Sequence, residues 1–263
     1  MCQNGGMTAP TRKKPERRTQ ALTRERIVEA AVELLDAGGE SGLTFRTLTE
    51  RLATGPGAVY WHVANKEDLL GAATDAVVAA AVAPDSTVPA HPADPTDPAE
   101  PPSSPHDRIR AVAFGLFDAI GEHPWLATQL ATQISRGPGG TVAPQIFESI
   151  GRQVRAMGVP EGSWFTAASA LLHYILGAAG QNAANSARAR ALGSDANRAE
   201  FLETASTAWA ELDPDDYPFT RAVAGRLRDH DDREQFLAGV DFVLAGIAAV
   251  HPDVGDGRRP HRG

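Results

Sequence analysis

Apolar positions recur every three to four residues along most of the chain, which predicts an all-α fold. The most informative pattern spans residues 44–66, TFRTLTERLATGPGAVYWHVANK. In its first half Phe45, Leu48 and Leu52 share one helical face, and Thr44 stands where an N-cap belongs. Ala53-Thr54-Gly55 then break the pattern. In the second half Gly55 sits at the cap and Pro56 at the first helical position, where its missing N–H costs nothing. Val59 and Val63 supply the buried face. A helix this short is unstable by itself because nucleation is costly, so packing must hold it in place. Its outer face, Tyr60, Trp61 and His62, is thereby left for other work. Two short helices across a tight turn make a helix-turn-helix. The second helix of such a unit lies in the DNA major groove.

The rest of the chain reads as helices with one interruption. Thr23 caps a first helix striped by Ile27, Ala31, Leu34 and Leu35 and ended by Gly38-Gly39. Asn65 caps another, with Glu67 and Asp68 at its positive end and Leu69, Ala73, Ala76 and Val77 on its buried face, running to about residue 82. Residues 84–105, PDSTVPAHPADPTDPAEPPSSP, have no apolar period and predict a linker, partly polyproline II. Helices are predicted again over 107–121, 125–135, 143–157, 162–190, 197–212, 218–228 and 232–250. The expected division is a disordered basic arm at 1–20, a helix-turn-helix domain at 21–66, a connecting helix at 67–83, the linker at 84–105, a second helical domain at 106–252, and a disordered tail at 253–263.

Charge sharpens the division. The net charge of −8 argues by itself against a nucleic-acid partner. Its distribution reverses that reading: residues 1–66 carry 10 Lys+Arg against 7 Asp+Glu, and the remainder 15 against 26. A basic amino-terminal piece on an acidic body is the footprint of a DNA-binding head turned away from its own acidic mass. Arg12, Lys13, Lys14, Arg17 and Arg18 form an arm leading into the head, suited to phosphates. The single cysteine, Cys2, excludes an intrachain disulfide and a cysteine-based metal site. No signal-like start and no apolar run long enough to span a bilayer are present, which predicts a cytoplasmic protein with no membrane partner. No nucleophile elbow, phosphate loop, His-Glu-x-x-His or Glu-x-x-His pattern occurs, so no catalytic residue, metal ligand or cofactor is predicted.

Gly42-Leu43-Thr44, Arg46, Leu48, Leu52, Tyr60-Trp61-His62-Val63, Asn65-Lys66 and Leu69-Leu70 together resemble the DNA-binding domain of the tetracycline-repressor (TetR) family. Tyr-Trp-His-Val followed by Asn-Lys is closest to the tetracycline repressors themselves. The resemblance implies DNA contacts from Thr44, Arg46, Tyr60, Trp61, His62 and Lys66; Ala58, with no donor or acceptor, is left a thymine methyl to touch and little more. Arg46 would read a base, which suits its guanidinium fork on a guanine edge, and Lys66 would clamp a phosphate. Trp61 is equally readable as a core residue. The sequence departs from the family where Pro56, Gly57 and Ala58 replace the polar base readers common in relatives. The linker also stands where the family has a short connection.

The resemblance further implies a homodimer on a palindromic operator and release by a small effector. For the dimer interface, the small residues near Ala178 and the stripe Phe236, Gly239, Val240, Val243, Gly246 and Ile247 are the expected surface. For a hydrophobic effector, the residues expected to line a pocket are Phe114, Phe117, Trp125, Gln129, Gln133, Phe147, Trp164, His173, Gly177 and Gln181. No histidine matches by motif the one that helps the tetracycline repressors hold a magnesium–drug complex, so tetracycline itself is not predicted. Two alternatives remain: a helical enzyme or small-molecule binder with a vestigial DNA-binding head, and a DNA-binding regulator that takes no effector.

Overall fold

The structure, a computed structural model, describes residues 22–83, 104–135, 140–191 and 196–252. The basic arm, residues 84–103 of the linker, residues 136–139 and 192–195, and the carboxy-terminal tail lie outside the described residues. Among those described, all regular structure is helical.

The amino-terminal unit is built from α1 (Arg24–Gly42), α2 (Phe45–Leu52), α3 (Pro56–Tyr60) and α4 (Lys66–Ala81). The predicted caps form: Thr23, Thr44 and Asn65 each accept a backbone N–H with their side chains. At Thr44 the cap is reciprocal, because the Thr47 hydroxyl also meets the Thr44 backbone N–H at 3.0 Å. The α1 helix breaks at Gly39, whose φ of 61° and ψ of −162° favour a residue without a Cβ. A core of Ile27, Leu35, Leu43, Leu48, Val59, Val63 and Leu69, each no more than 2% exposed, locks the short α3 against α1, α2 and α4. The buried face of α4 differs from the sequence expectation. It runs through Leu69, Leu70, Ala73, Thr74, Val78 and Ala81, whereas Ala76 is exposed and Val77 only half-buried. This helix packs on both α1 and the second domain, so its apolar residues spread around the axis and one stripe does not describe them.

The second unit starts two residues earlier than the spacing predicts. Ser104 caps α5 (Pro105–Glu122) with a capping box to Asp107, and Pro105 takes the first helical position. It is followed by α6 (Trp125–Ser135), α7 (Val142–Ala156), α8 (Trp164–Ala191), α9 (Ala196–Ala210), α10 (Pro218–Val223) and α11 (Asp232–Val250). Helices α5, α7, α8 and α11 pack on one another around Ile109, Leu116, Ile120, Ile146, Ile150, Leu171, Ile175 and Val240. In contrast, α9 and α10 pack chiefly on each other and on the 3-10 turn Ala224–Leu227. An ion pair of 2.6 Å between Arg198 and Asp232 ties this arm to α11.

Candidate functional site

The helix-turn-helix presents a consistent outer surface. Arg46 projects from α2 with 87% of its side chain exposed, held only by a 3.0 Å ion pair to Glu50 one turn later. An exposed i,i+4 pair contributes about 0.3–0.5 kcal/mol, too little to fix the guanidinium against a competing partner. Tyr60 is 54% exposed and stacks on Phe45 with ring centroids 4.6 Å apart, which stiffens the joint between α2 and α3. Trp61 is 88% exposed, so the core alternative for this residue fails. The reason is local: Val59 and Val63 already fill the inward positions, and Trp61 falls on the opposite side of the turn. His62 and Ala58 are half-buried beside it. Thr44 is exposed, but its hydroxyl is engaged in the α2 cap. The Lys66 ammonium donates to the Glu40 carbonyl at the end of α1.

The residues expected to gather around an effector do not converge. On α6, Trp125 donates its indole N–H to Asp36 at 2.7 Å, Gln129 donates to the Glu40 carboxylate, and Gln133 donates to the Thr74 hydroxyl at 2.9 Å. Together with His123, whose Nδ1 lies 2.7 Å from the same Asp36 oxygen, these side chains bind α1 and α4. The Gln129 and Gln133 amides are therefore partnered by the DNA-binding half. On α8, His173, Gly177 and Gln181 are exposed and line the outside of the bundle. Phe114 and Phe117 are buried, the first beneath the Arg233 guanidinium at 3.5 Å and the second against Phe236 at 4.6 Å. Phe147 stacks on the exposed Phe165 at 5.9 Å, and Trp164 donates to the Val159 carbonyl at 2.6 Å.

Two features escaped sequence reasoning. The side-chain oxygens of Gln145 and Asn182 are buried with no hydrogen-bond partner among the described residues. Each orphan acceptor costs about 1–3 kcal/mol. In addition, a cavity of about 590 Å³ opens between α1, α4 and α5. No spacing rule finds either, because both depend on how distant helices are set side by side.

The expected dimer residues also need correction. Phe236 and Val240 are 2% and 0% exposed and belong to the chain's own core. A Cβ at Gly239 would lie 1.8 Å from the Tyr174 hydroxyl, so this glycine admits a ring of α8 from the same chain. Ala178, Val243 and Ile247 are half-buried, while nothing lies within 4 Å of a Cβ at Gly246. The outward face of α11 is instead Ala238, Phe242, Ala245, Gly246 and Ala249, with Phe242 78% exposed. On α8 the outward face is Ala170, His173, Gly177, Gln181 and Ala184.

Among the described residues no group of three metal-ligating side chains comes together, and no helix is long and apolar enough to cross a membrane. Residues 27–73 match the family model described as bacterial regulatory proteins, tetR family, and residues 97–251 match the tetracyclin repressor-like C-terminal domain. The chain is 29% identical over 242 residues to an HTH-type transcriptional regulator of Saccharopolyspora erythraea, covering 90% of each. Over 57 residues it is 46% identical to the class C tetracycline repressor protein of Escherichia coli, covering 22% of this chain and 26% of that one. A solved transcriptional regulator from Streptomyces coelicolor, SCO7222, superposes with a TM-score of 0.76 and 65% identity, over 88% of this chain and all of its own.

Proposed function

The chain belongs to the tetracycline-repressor family of transcriptional regulators and is not an enzyme, and from that premise we propose that it is a homodimeric repressor released from a palindromic operator by a small molecule. The observation that carries the DNA half is the exposure of Arg46, Tyr60 and Trp61 on adjoining helices of a rigid head. A tryptophan 88% exposed contributes little to its own fold, and an exposed guanidinium and indole on one helix-turn-helix suit a phosphate-lined groove. Arg46 leaves Glu50 to read a base edge. Tyr60, Trp61 and His62 contact backbone and neighbouring bases, Ala58 meets a thymine methyl, and Thr44 and Lys66 face phosphates through their cap and helix start. The basic arm at 1–20 adds contacts that do not depend on sequence.

The outward faces of α8 and α11 support the dimer. On α11 these are small or apolar residues at helical spacing, and on α8 small residues alternate with His173 and Gln181; the chain's own core leaves both faces uncovered. Joined to their counterparts in a second copy, they form a four-helix interface. Phe242 and Gly246 carry the α11 contribution, and Gly177, Ala184 and the edge of Ala178 that of α8. The exposed Phe201, Trp209 and Phe219 on α9 and α10 extend the surface toward the partner.

The effector is a mostly apolar molecule bearing hydroxyl groups. Orphan acceptors at Gln145 and Asn182 support this, since a bound donor removes the cost of burying them. Binding acts on DNA only as far as it favours one spacing of the two heads over another. The test is a titration of the purified protein against duplexes from the region upstream of its own coding sequence. Nanomolar binding to one palindrome, lost with Arg46→Ala, supports the reading. Equal binding to all duplexes defeats it.

A further inference from the structure

The cavity between α1, α4 and α5 lies where the DNA-binding head meets the helical domain, apart from the residues of α7 and α8 that the effector reading addresses, and its chemistry is distinctive. Val28 and Val32 on α1 face Val77 and Ala81 on α4 across an apolar floor. Four carboxylates stand among its lining residues: Glu29 and Glu33 from α1, Asp118 and Glu122 from α5. Among the described residues no lysine or arginine lines it. Arginines from outside the lining answer two of the four, Arg51 pairing with Glu33 and Arg233 with Asp118 at 3.2 Å. Glu29 and Glu122 bring two further negative charges to the rim. A volume of about 590 Å³ lies within the range of about 300–1,000 Å³ that small-molecule sites occupy.

We propose that this cleft is a binding site for an organic cation with an apolar body, seated on Val28, Val32 and Val77 and held by Glu29 and Glu122. An anion of the same shape meets the same floor and a repelling rim. A small hydrated metal ion gains nothing from the valines.

The cleft also sits where occupation would be felt. A Cβ at Gly115 would lie 2.1 Å from the Ala81 carbonyl oxygen, so α4 and α5 meet along one side without slack. That wall cannot open by a small shift. Adjustment to an occupant falls on α1, which carries α2 and α3 with it. Control of operator binding from this cleft rests on the proposed repressor function, whereas the binding itself does not.

The test uses tetraphenylphosphonium and its charge-reversed isostere tetraphenylborate, each titrated calorimetrically into the full-length protein without DNA. Tetraphenylphosphonium is expected to bind and tetraphenylborate to give no saturable heat. The double variant Glu29→Gln/Glu122→Gln alters exposed positions only, and is expected to weaken the cation roughly threefold to tenfold. Ala76→Trp, also at an exposed lining position, fills the cleft and should abolish binding while the thermal melt is unchanged. No binding of the phosphonium, equal binding of both ions, or a phosphonium site untouched by either variant would each overturn the assignment. A protein that binds its operator yet ignores the phosphonium sinks this site and leaves the repressor standing. Phosphonium binding in a protein that selects no operator does the reverse.

Discussion

Gly239→Ala is the substitution whose outcome the packing decides most sharply. The added methyl would lie 1.8 Å from the Tyr174 hydroxyl oxygen and 2.2 Å from the ring carbon that bears it. The ring is held by a 3.0 Å hydrogen bond from that hydroxyl to the Phe236 carbonyl and stacks on Phe236 at 5.9 Å. Displacing it strains a packed core by about 1–3 kcal/mol, and losing the hydrogen bond removes about 1 kcal/mol more. Alanine returns about 1 kcal/mol of helix propensity over glycine. The net is a destabilisation of about 1–3 kcal/mol. Gly246→Ala, two turns on in the same helix, meets nothing within 4 Å in its own chain and gains the propensity term there, so any cost it shows belongs to the proposed dimer contact. Urea unfolding at one fixed protein concentration separates the two, since dimerisation makes stability depend on concentration. In a Tyr174→Ala background the Gly239→Ala penalty should vanish, a coupling within the range expected of touching residues. Wild-type stability in Gly239→Ala, or an equal penalty with and without the Tyr174 ring, would refute the assignment of Gly239 to the chain's own core.

Arg46→Ala should weaken the operator complex by about 1–3 kcal/mol and relax preference at one base pair in each half-site, read by anisotropy titration on substituted duplexes. Phe242→Asp places a charge on the outward face of α11 without touching the core, so sedimentation should show a folded monomer where the wild type runs as a dimer. Acid should loosen the starts of α5 and α11. Backbone N–H groups of Glu234 and Arg233 hold the Asp231 carboxyl below its ordinary range, and the Ser104 hydroxyl does the same for Asp107. Folded-state values that are lowered give stability present above the unfolded carboxylate range near pH 4 and lost as pH falls through the folded value. The melting temperature of an Asp107→Asn/Asp231→Asn variant should therefore fall less steeply than the wild type's between about pH 4 and 2.

Much of this architecture was legible because helix starts and buried stripes are local. Thr23, Thr44 and Asn65 cap where their neighbours place them, and Pro56 marks a helix start for reasons confined to a turn. What periodicity cannot state is which body covers a face. Phe236 and Val240 read equally well as a dimer stripe and as a core, and only the approach of Tyr174, 65 positions earlier than Gly239, decides between them. His173, Gly177 and Gln181 share a face at helical spacing, but that face is exposed on α8. Gln129 and Gln133 are satisfied by Glu40 and Thr74, 89 and 59 positions away in sequence, so their spacing carried no trace of the partners. The exposure of Tyr60 and Trp61 was legible, because a helix as short as α3 leaves uncovered much of what Val59 and Val63 do not bury. The alternative of a helical enzyme falls with the family assignment.

The central claim is that the exposed surface around Arg46 and Trp61 selects one DNA sequence as part of a two-fold assembly. Footprinting of the purified protein on the DNA upstream of its own coding sequence tests it most directly. The account predicts two protected half-sites related by a dyad, centred about one helical turn or a multiple of it apart on one face of the duplex. It also predicts that the pattern disappears with Arg46→Ala at a protein concentration that still saturates the wild-type site. A single asymmetric footprint, or a symmetric one that Arg46→Ala leaves intact, would contradict it.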